Sequence, residues 1–190
     1  LGLFVAALGQ SAAAAREPAL VAHIRSATDT LQNLLDAILD VSRLDSGNVV
    51  PRIAPVALRP VLERIQGDLS LIAEQKGLRL KVRTTNLWVR SDAEMVQRIL
   101  LNLVGNALRY TRSGGVLVSC RRRDDQVLVE VWDTGSGIPE NARSEIFEEY
   151  MQLENPERDR AKGLGLGLAI CRRLADLLSA PIGVRSRPGR

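Results

Sequence analysis

Two glycine clusters, preceded by a segment with paired asparagines, constrain this chain more than any other feature. The clusters are residues 133–139 (DTGSGIP) and 163–168 (GLGLGL), and the asparagines lie in residues 98–111 (RILLNLVGNALRYT). Glycine has no Cβ, so other groups can approach the backbone of such clusters closely. One cluster alone is a weak signal because glycine turns are common. All three segments in this order, within the length of one domain, predict a ligand site.

Composition limits the alternatives. The chain has 190 residues, which suits one domain with an appended element or two small domains, and its apolar fraction of 45% allows a real core. The formal net charge of +4 is spread along the chain, and aromatic residues make up only 3%. The densest basic run, residues 121–123, is followed by Asp124 and Asp125, which is typical of a solvated strand end. We therefore expect no nucleic-acid partner.

The cysteines and the apolar runs help to predict the cellular compartment of the chain. Cys120 and Cys171 lack Cys-x-x-Cys spacing and a nearby ligand cluster, so we expect two buried, reduced thiols. No apolar run approaches the roughly 20 residues of a membrane span. Residues 1–8 lack the basic start and cleavage context of a signal peptide, and we interpret them as the end of a helix. These features predict a cytoplasmic region without membrane contact, which a longer protein could still anchor.

The first 48 residues have the pattern of an α-helical hairpin. Residues 11–18 form its connection, with Pro18 tolerated at a helix start. Apolar residues with alternating three- and four-residue spacing follow, and they are Ile24, Ala27, Leu31, Leu34, Ile38 and Val41. Such a heptad seam favours partner helices, and a dimeric four-helix bundle would cover it. An amphipathic helix packed on its own domain is the alternative.

Residues 49–190 are predicted to form a second domain. Residues 49–57 read as an extended entry strand. Later strands are predicted at 78–84, 87–90, 115–122, 126–132 and 182–186, and helices at 58–76 and 166–178. The asparagine-bearing helix begins at a Ser91-Asp92 cap, with Glu94 in its first turn. This mixture indicates an α/β two-layer sandwich, a mixed sheet with helices on one face.

These segments resemble the ATP-binding domain of sensor histidine kinases, in the wider gyrase–Hsp90–kinase–MutL superfamily, over residues 31–187. The family's asparagine box maps onto residues 102–111, and its two glycine boxes onto 133–137 and 163–167. Residues 146–150 resemble its phenylalanine box, and 34–47 the second helix of its dimerisation hairpin. The resemblance implies a Bergerat-type fold that takes ATP and Mg²⁺, a homodimer, and transfer of the γ-phosphoryl to a histidine for relay to a response-regulator receiver domain.

The resemblance also assigns roles to residues. Asn106 matches the magnesium ligand, and Asn102, on the same helical face, matches its catalytic partner at the phosphate end. Asp133 can accept a hydrogen bond from the adenine exocyclic amine, which guanine lacks at that position. The other residues expected at ATP are Arg109, Tyr110, Gly135, Gly137, Ile138, Lys162, Gly163, Leu164, Gly165, Leu166, Gly167 and Leu168. On the residues alone, an asparagine hydrogen-bonding patch and a ligand-free Asp-Thr-Gly turn remain open.

Residues 140–162 are polar and too long for an ordinary connection. In the family this stretch is the lid that folds over ATP, and we expect Phe147 to anchor its root, with Tyr150 or Met151 helping. The helix after the second cluster can present N–H groups to phosphate. A P-loop is disfavoured because no Gly-Lys-Ser/Thr follows, and a dinucleotide fingerprint because no strand precedes.

The single histidine does not fit the role of phosphoacceptor. His23 is followed by Ile24 and Arg25 rather than an acidic motif, so we interpret it as a solvated helix residue and expect the acceptor upstream of Leu1. A superfamily ATPase is one alternative, but such enzymes place a carboxylate base where Asn102 stands, and an amide cannot take a proton from water. An anti-sigma-type switch kinase is the other, and it would normally lack the hairpin.

Overall fold

The computed structural model describes residues 49–152 and 165–188, together with helical positions 24, 28, 31, 32, 35, 39 and 42–44. The predicted hairpin connection, His23, most of the heptad seam, and Lys162, Gly163 and Leu164 lie outside the described residues. Among the described positions between 24 and 44, Thr28 Oγ1 donates to the Ile24 carbonyl at 2.8 Å, as in a helix. Four apolar side chains there are 38–54% exposed, and they are Ile24, Leu31, Leu35 and Leu39.

The described elements follow the predicted order closely. They are β1 (Ala54–Ala57), α1 (Leu58–Gln75), β2 (Arg79–Val82), β3 (Trp88–Ser91), α2 (Ala93–Tyr110), β4 (Gly115–Arg123), β5 (Gln126–Asp133) and α3 (Gly167–Leu177), with short 3-10 turns at Glu140–Ala142 and Glu145–Phe147. Strands β1 and β3 form an antiparallel pair. In the second sheet, β4 lies between parallel β2 and antiparallel β5.

One hydrophobic core holds α1 and α2 against these strands. Helix α1 buries a stripe that includes Leu62 and Ile65, both fully buried, and α2 contributes Val104 and Leu108. On β4 the side chains alternate, so Val118 points into the core while its neighbours are partly exposed. The arrangement confirms the predicted α/β sandwich of mixed strands and helices.

Two local predictions need correction. Residues 49–53 form no strand, and the entry strand begins only at Ala54. The predicted strand at 182–186 is also wrong, since these residues adopt no regular structure. Pro181 and Pro188 flank the segment and cannot donate to a ladder, and the Ser186 carbonyl accepts instead from Arg143 Nη2 at 2.8 Å.

The prediction of two buried thiols is confirmed for Cys171 but not for Cys120. Cys120 and Cys171 are both free thiols, Cys171 fully buried and Cys120 partly buried. Among the helices of the described segments, none is both long and apolar enough to cross a bilayer.

Candidate functional site

Helix α2, which carries both asparagines, is held firmly at its start. Asp92 is the N-cap, and its Oδ1 accepts from the N–H groups of Glu94 at 3.0 Å and Met95 at 3.1 Å. Its Oδ2 accepts from the Arg52 N–H at 2.7 Å. Burial by itself would raise the pKa of the Asp92 carboxyl, but these three hydrogen bonds and the Arg52 charge outweigh it and lower the pKa below its usual value.

The middle of α2 meets the second glycine cluster. Asn102 and Asn106 lie one turn apart and are partly buried, and Asn102 Nδ2 donates to the Arg98 carbonyl at 3.1 Å. A Cβ placed on Gly167 would lie 3.0 Å from Asn102 Oδ1 and 3.8 Å from Asn106 Nδ2. The fold therefore brings the start of α3 directly against the face of α2 that carries the paired amides.

The end of α2 meets the first glycine cluster. A Cβ on Gly135 would lie only 2.7 Å from the Tyr110 carbonyl oxygen, so only glycine fits this contact. Tyr110 is 44% exposed, and Arg109 beside it is also exposed. Arg109 follows Asn106 by three residues and so lies on the same side of the helix. Both glycine clusters are thus arranged along one helix.

Asp133 is the exposed last residue of β5. Its Oδ1 accepts from the Gly135 N–H at 2.9 Å, which fixes the orientation of the carboxylate. Thr134, which the sequence did not single out, donates from Oγ1 to the Ser113 carbonyl at 2.8 Å and accepts from the Gly115 N–H at 3.0 Å. The sequence signal that could have indicated this role of Thr134 is a threonine between an aspartate and a glycine at the end of a strand.

Gly137 and Ile138 complete the first cluster. Gly137 has φ +76°, and a Cβ there would lie 2.5 Å from the Arg187 carbonyl oxygen. The Ile138 N–H donates to Ser186 Oγ at 2.8 Å. Ser186 is a second residue that the sequence did not indicate, because the segment around it was predicted to be a strand.

The described part of the second cluster lies against the root of the predicted lid. Gly165 has φ +73°, and a Cβ there would lie 2.8 Å from the Met151 carbonyl oxygen. The Tyr150 N–H donates to the Gly165 carbonyl at 3.1 Å. Leu166 is buried, Leu168 is partly buried, and Leu166 packs with α3, Met95, Ile99 and Leu44.

The apolar anchor of the lid root lies one residue before the predicted position. Ile146 is 7% exposed and Ala142 is 4% exposed, whereas Phe147 is only partly buried. The Arg172 guanidinium lies over the Phe147 ring, 5.6 Å from its centroid, a distance suited to a cation–π contact. Glu149 forms an ion pair with Arg173, which lies on α3 beside Arg172. Tyr150 is 64% exposed and does not act as an anchor.

Two further observations concern metal-binding side chains and the position of a surface cleft. Among the described residues, no group of three or more His, Cys, Asp or Glu side chains could hold a metal ion. A cleft of about 320 Å³ lies elsewhere, towards the C-terminal end of α3, and it is lined by Leu44, Arg173, Asp176 and Leu177. It includes none of the residues predicted for the site.

Comparisons with known proteins identify the family. Residues 91–190 match the family described as "Histidine kinase-, DNA gyrase B-, and HSP90-like ATPase". The match covers more than half of the chain, so the chain belongs to this family. Within it, relatives and structural neighbours place the chain as the ATP-binding catalytic region of a sensor histidine kinase, which confirms the resemblance seen in the sequence.

Three similar proteins illustrate the relationship. Hybrid signal transduction histidine kinase K of Dictyostelium discoideum is 30% identical over 187 residues, which cover 90% of this chain and 15% of that protein. Sensor protein GacS of Pseudomonas syringae pv. syringae is 32% identical over 174 residues, covering 87% and 19% respectively. The crystal structure of full-length ShkA in complex with AMPPNP has a TM-score of 0.78 at 30% identity and covers 92% of this chain and 37% of that one. The chain thus spans less than a fifth of the two relatives by sequence.

Proposed function

We propose that this region binds Mg²⁺-ATP along α2, between the two glycine clusters, and transfers the γ-phosphoryl group to a histidine outside these 190 residues. One observation carries the proposal: the close approach of Gly167 to Asn102 and Asn106 on the same helix that meets Gly135 at its end. A nucleotide lying along α2 would have its base at one cluster and its phosphates at the other.

The adenine end is assigned to the first cluster. Asp133 is exposed at the end of β5, and its Oδ1 is already oriented by the Gly135 N–H. Its second oxygen would accept a hydrogen bond from the exocyclic amine, a donor that guanine lacks there. Gly135 and Gly137 would shape the backbone turn beside the ring, because each allows a close contact with another part of the chain, and Tyr110 and Ile138 would flank the ring.

The phosphate end is assigned to α2 and the start of α3. Free N–H groups in the first turn of an 11-residue helix such as α3 favour anions, and Arg109 would add a charge-assisted contact. The second cluster would contact the phosphates when the lid closes, through Lys162, Gly163, Leu164, Gly165, Leu166, Gly167 and Leu168.

The asparagine pair suits a magnesium ion that is shared with the nucleotide. Mg²⁺ prefers oxygen ligands and usually takes one or two from protein and others from substrate phosphates. The described residues contain no three-acid cluster, so an Asn106 amide oxygen together with phosphate oxygens fits better than an all-protein cage. Such an ion would neutralise charge on the β- and γ-phosphates. Asn102 would position the phosphate end rather than act as a base, which favours transfer over hydrolysis.

Residues 1–48 are proposed to be a dimerisation hairpin and residues 49–190 the catalytic domain. The exposed Ile24, Leu31, Leu35 and Leu39 side chains follow helical spacing, and a second copy of the chain would cover them. The acceptor histidine is assigned outside these residues because Ile24 and Arg25 follow His23, where an acidic neighbour would be needed. Relay would then proceed to a response-regulator receiver domain.

Calorimetry with the 190-residue chain tests the nucleotide assignment. We expect binding of Mg²⁺-ATP with a clear preference over Mg²⁺-GTP, because Asp133 would recognise the amine. Equal affinities would contradict the adenine pocket. Phosphate release measured in the same samples would reveal an ATPase, whereas a kinase without its acceptor histidine should release almost none.

Labelling with γ-phosphate-labelled ATP tests the acceptor. The chain alone should form no acid-labile phosphohistidine, whereas a supplied hairpin domain with its own histidine should be labelled. His23→Gln should change neither result. Acid-labile label on this chain that disappears in His23→Gln would make His23 the acceptor and overturn the assignment.

A further inference from the structure

Residues 186–188, here called the C-terminal strap, contact the first glycine cluster at several points. Ser186 Oγ accepts from the Ile138 N–H at 2.8 Å, across 48 positions of sequence. A Cβ on Gly137 would lie 2.5 Å from the Arg187 carbonyl oxygen and 2.9 Å from Pro188 Cα. The strap therefore closes one side of the Gly137 turn and satisfies the N–H group that follows it.

The strap is itself held from the other side. Arg143 Nη2 donates to the Ser186 carbonyl at 2.8 Å, and Arg143 Nη1 lies 3.3 Å from Glu140 Oε1. Both Arg143 and Ser186 are partly buried. A continuous series of contacts thus runs from Glu140 through Arg143 and Ser186 to the backbone of Ile138.

We infer that Ser186 is a positioning residue for the base end of the nucleotide site, and this rests on the function proposed above. Its hydroxyl sets the direction of the peptide after Gly137, and Gly137 lies four residues from Asp133. Without that acceptor the left-handed turn at Gly137 would be held on one side by van der Waals contact alone. The turn would then sample orientations in which Asp133 and the glycine backbone no longer fit one base together.

The position of Ser186 predicts a particular pattern of loss. The strap touches the first cluster, whereas the asparagine face meets Gly167 at the second. Ser186→Ala should therefore weaken ATP and ADP by the same factor, roughly five- to tenfold for one hydrogen bond that orients a site. The preference for ATP over GTP should fall as well. A purely structural role would lower stability without changing that preference.

The experiment compares variants of the 190-residue chain by calorimetry with Mg²⁺-ATP, Mg²⁺-ADP and Mg²⁺-GTP, and by thermal unfolding without nucleotide. Ser186→Thr keeps the acceptor oxygen and should bind as the wild type does. Ser70→Ala is the matched control, because its exposed hydroxyl donates only within α1, to the Gly67 carbonyl at 3.3 Å. It should leave nucleotide affinity unchanged.

The outcomes separate the two proposals. A wild-type chain that binds no ATP refutes the proposed function. A wild-type chain that binds ATP, together with a folded Ser186→Ala variant of equal affinity and equal ATP-to-GTP preference, overturns the role of Ser186 alone. If Ser186→Ala does not fold, Arg143→Met decides, since it removes the donor that holds the Ser186 carbonyl from the other side. That variant should lose affinity for ATP and ADP equally, and unchanged affinity would refute the inference.

Discussion

The two glycine clusters are built in different ways. The first is tied by side-chain hydrogen bonds to separate parts of the chain, through Thr134 to Ser113 and Gly115, and through Ile138 to Ser186. The described end of the second is placed chiefly by close approach, with Gly165 against the Met151 carbonyl and Gly167 against Asn102. Glycine thus supports a hydrogen-bonded turn in one cluster and a close packing contact in the other.

The largest effect is expected at the hydrogen-bonded turn. Asp133→Ala should weaken ATP binding roughly a hundredfold, as expected for a lost hydrogen bond to a charged group. Because Asp133 is exposed, the thermal unfolding transition should stay close to that of the wild type. Asp133→Asn sharpens the test, since its amide oxygen can keep the Gly135 bond while its NH₂ would oppose the adenine amine. Wild-type affinity in Asp133→Asn would remove Asp133 from base recognition.

At the second cluster, Gly165→Val should disturb both packing and backbone. A branched side chain would meet the Met151 carbonyl, and the φ of +73° is strained for valine, at a cost of about 1–3 kcal/mol. ATP affinity should fall roughly tenfold or less, with adenosine less affected than ATP. Gly67→Ala in α1 is the control, since its Cβ would meet no atom within 4 Å. An equal loss for adenosine would show that the two clusters do not divide the ligand as proposed.

Asn106→Ala tests the helix that joins the clusters. It should remove the magnesium-dependent part of ATP affinity, roughly tenfold, and stop transfer to a supplied acceptor domain, while adenosine binding is retained. Calorimetry with and without a chelator measures this. Asn86→Ala is a suitable control because that exposed amide oxygen accepts only surface bonds from Arg59. Full transfer by Asn106→Ala would place the ion elsewhere.

The smallest effect on the site is expected at the start of α2, where Asp92 caps the helix. Asp92→Ala should lower the free energy of unfolding by about 1–2 kcal/mol, as for other N-caps, and leave nucleotide affinity unchanged. The folded-state pKa of Asp92 lies below its usual 3.8. Its contribution is therefore complete above that value and is lost as the pH falls through the folded-state pKa. The stability gap between wild type and Asp92→Ala, measured by urea unfolding, should narrow under acid conditions, and a constant gap would refute this linkage.

Local patterns predicted much of the fold. The Asp92 cap, the helix that follows it, and the hairpin turn at Asp124, with φ 55°, all depend on neighbouring residues. The contacts that shape the site do not. Thr134 with Gly115 and Ser186 with Ile138 are hydrogen bonds across long stretches of sequence, which no local periodicity encodes.

Two of the three local errors have related causes. Alternating Ile182 and Val184 predicted a strand, but the segment binds the Gly137 turn and Arg143 instead of pairing along a ladder. At the lid root, Ile146 and Phe147 lie in a 3-10 turn, and this turn buries Ile146 rather than Phe147. In both cases tertiary contacts decided an outcome that the residue types left open.

Burial of Cys171 has a practical consequence. The thiol is fully enclosed on α3, with its Sγ 3.7 Å from the Ile99 carbonyl oxygen, and burial raises its pKa to about 12, although the nearby Arg98 charge lowers it somewhat. The enclosed thiol is therefore protonated at pH 8 and unreactive towards alkylating reagents. Alkylation of Cys171 therefore requires α3 to separate from α2. The rate of alkylation thus reports how often that helix pair opens. Cys120, on β4 and with a pKa of about 11, supplies a reference rate from the sheet in the same molecule.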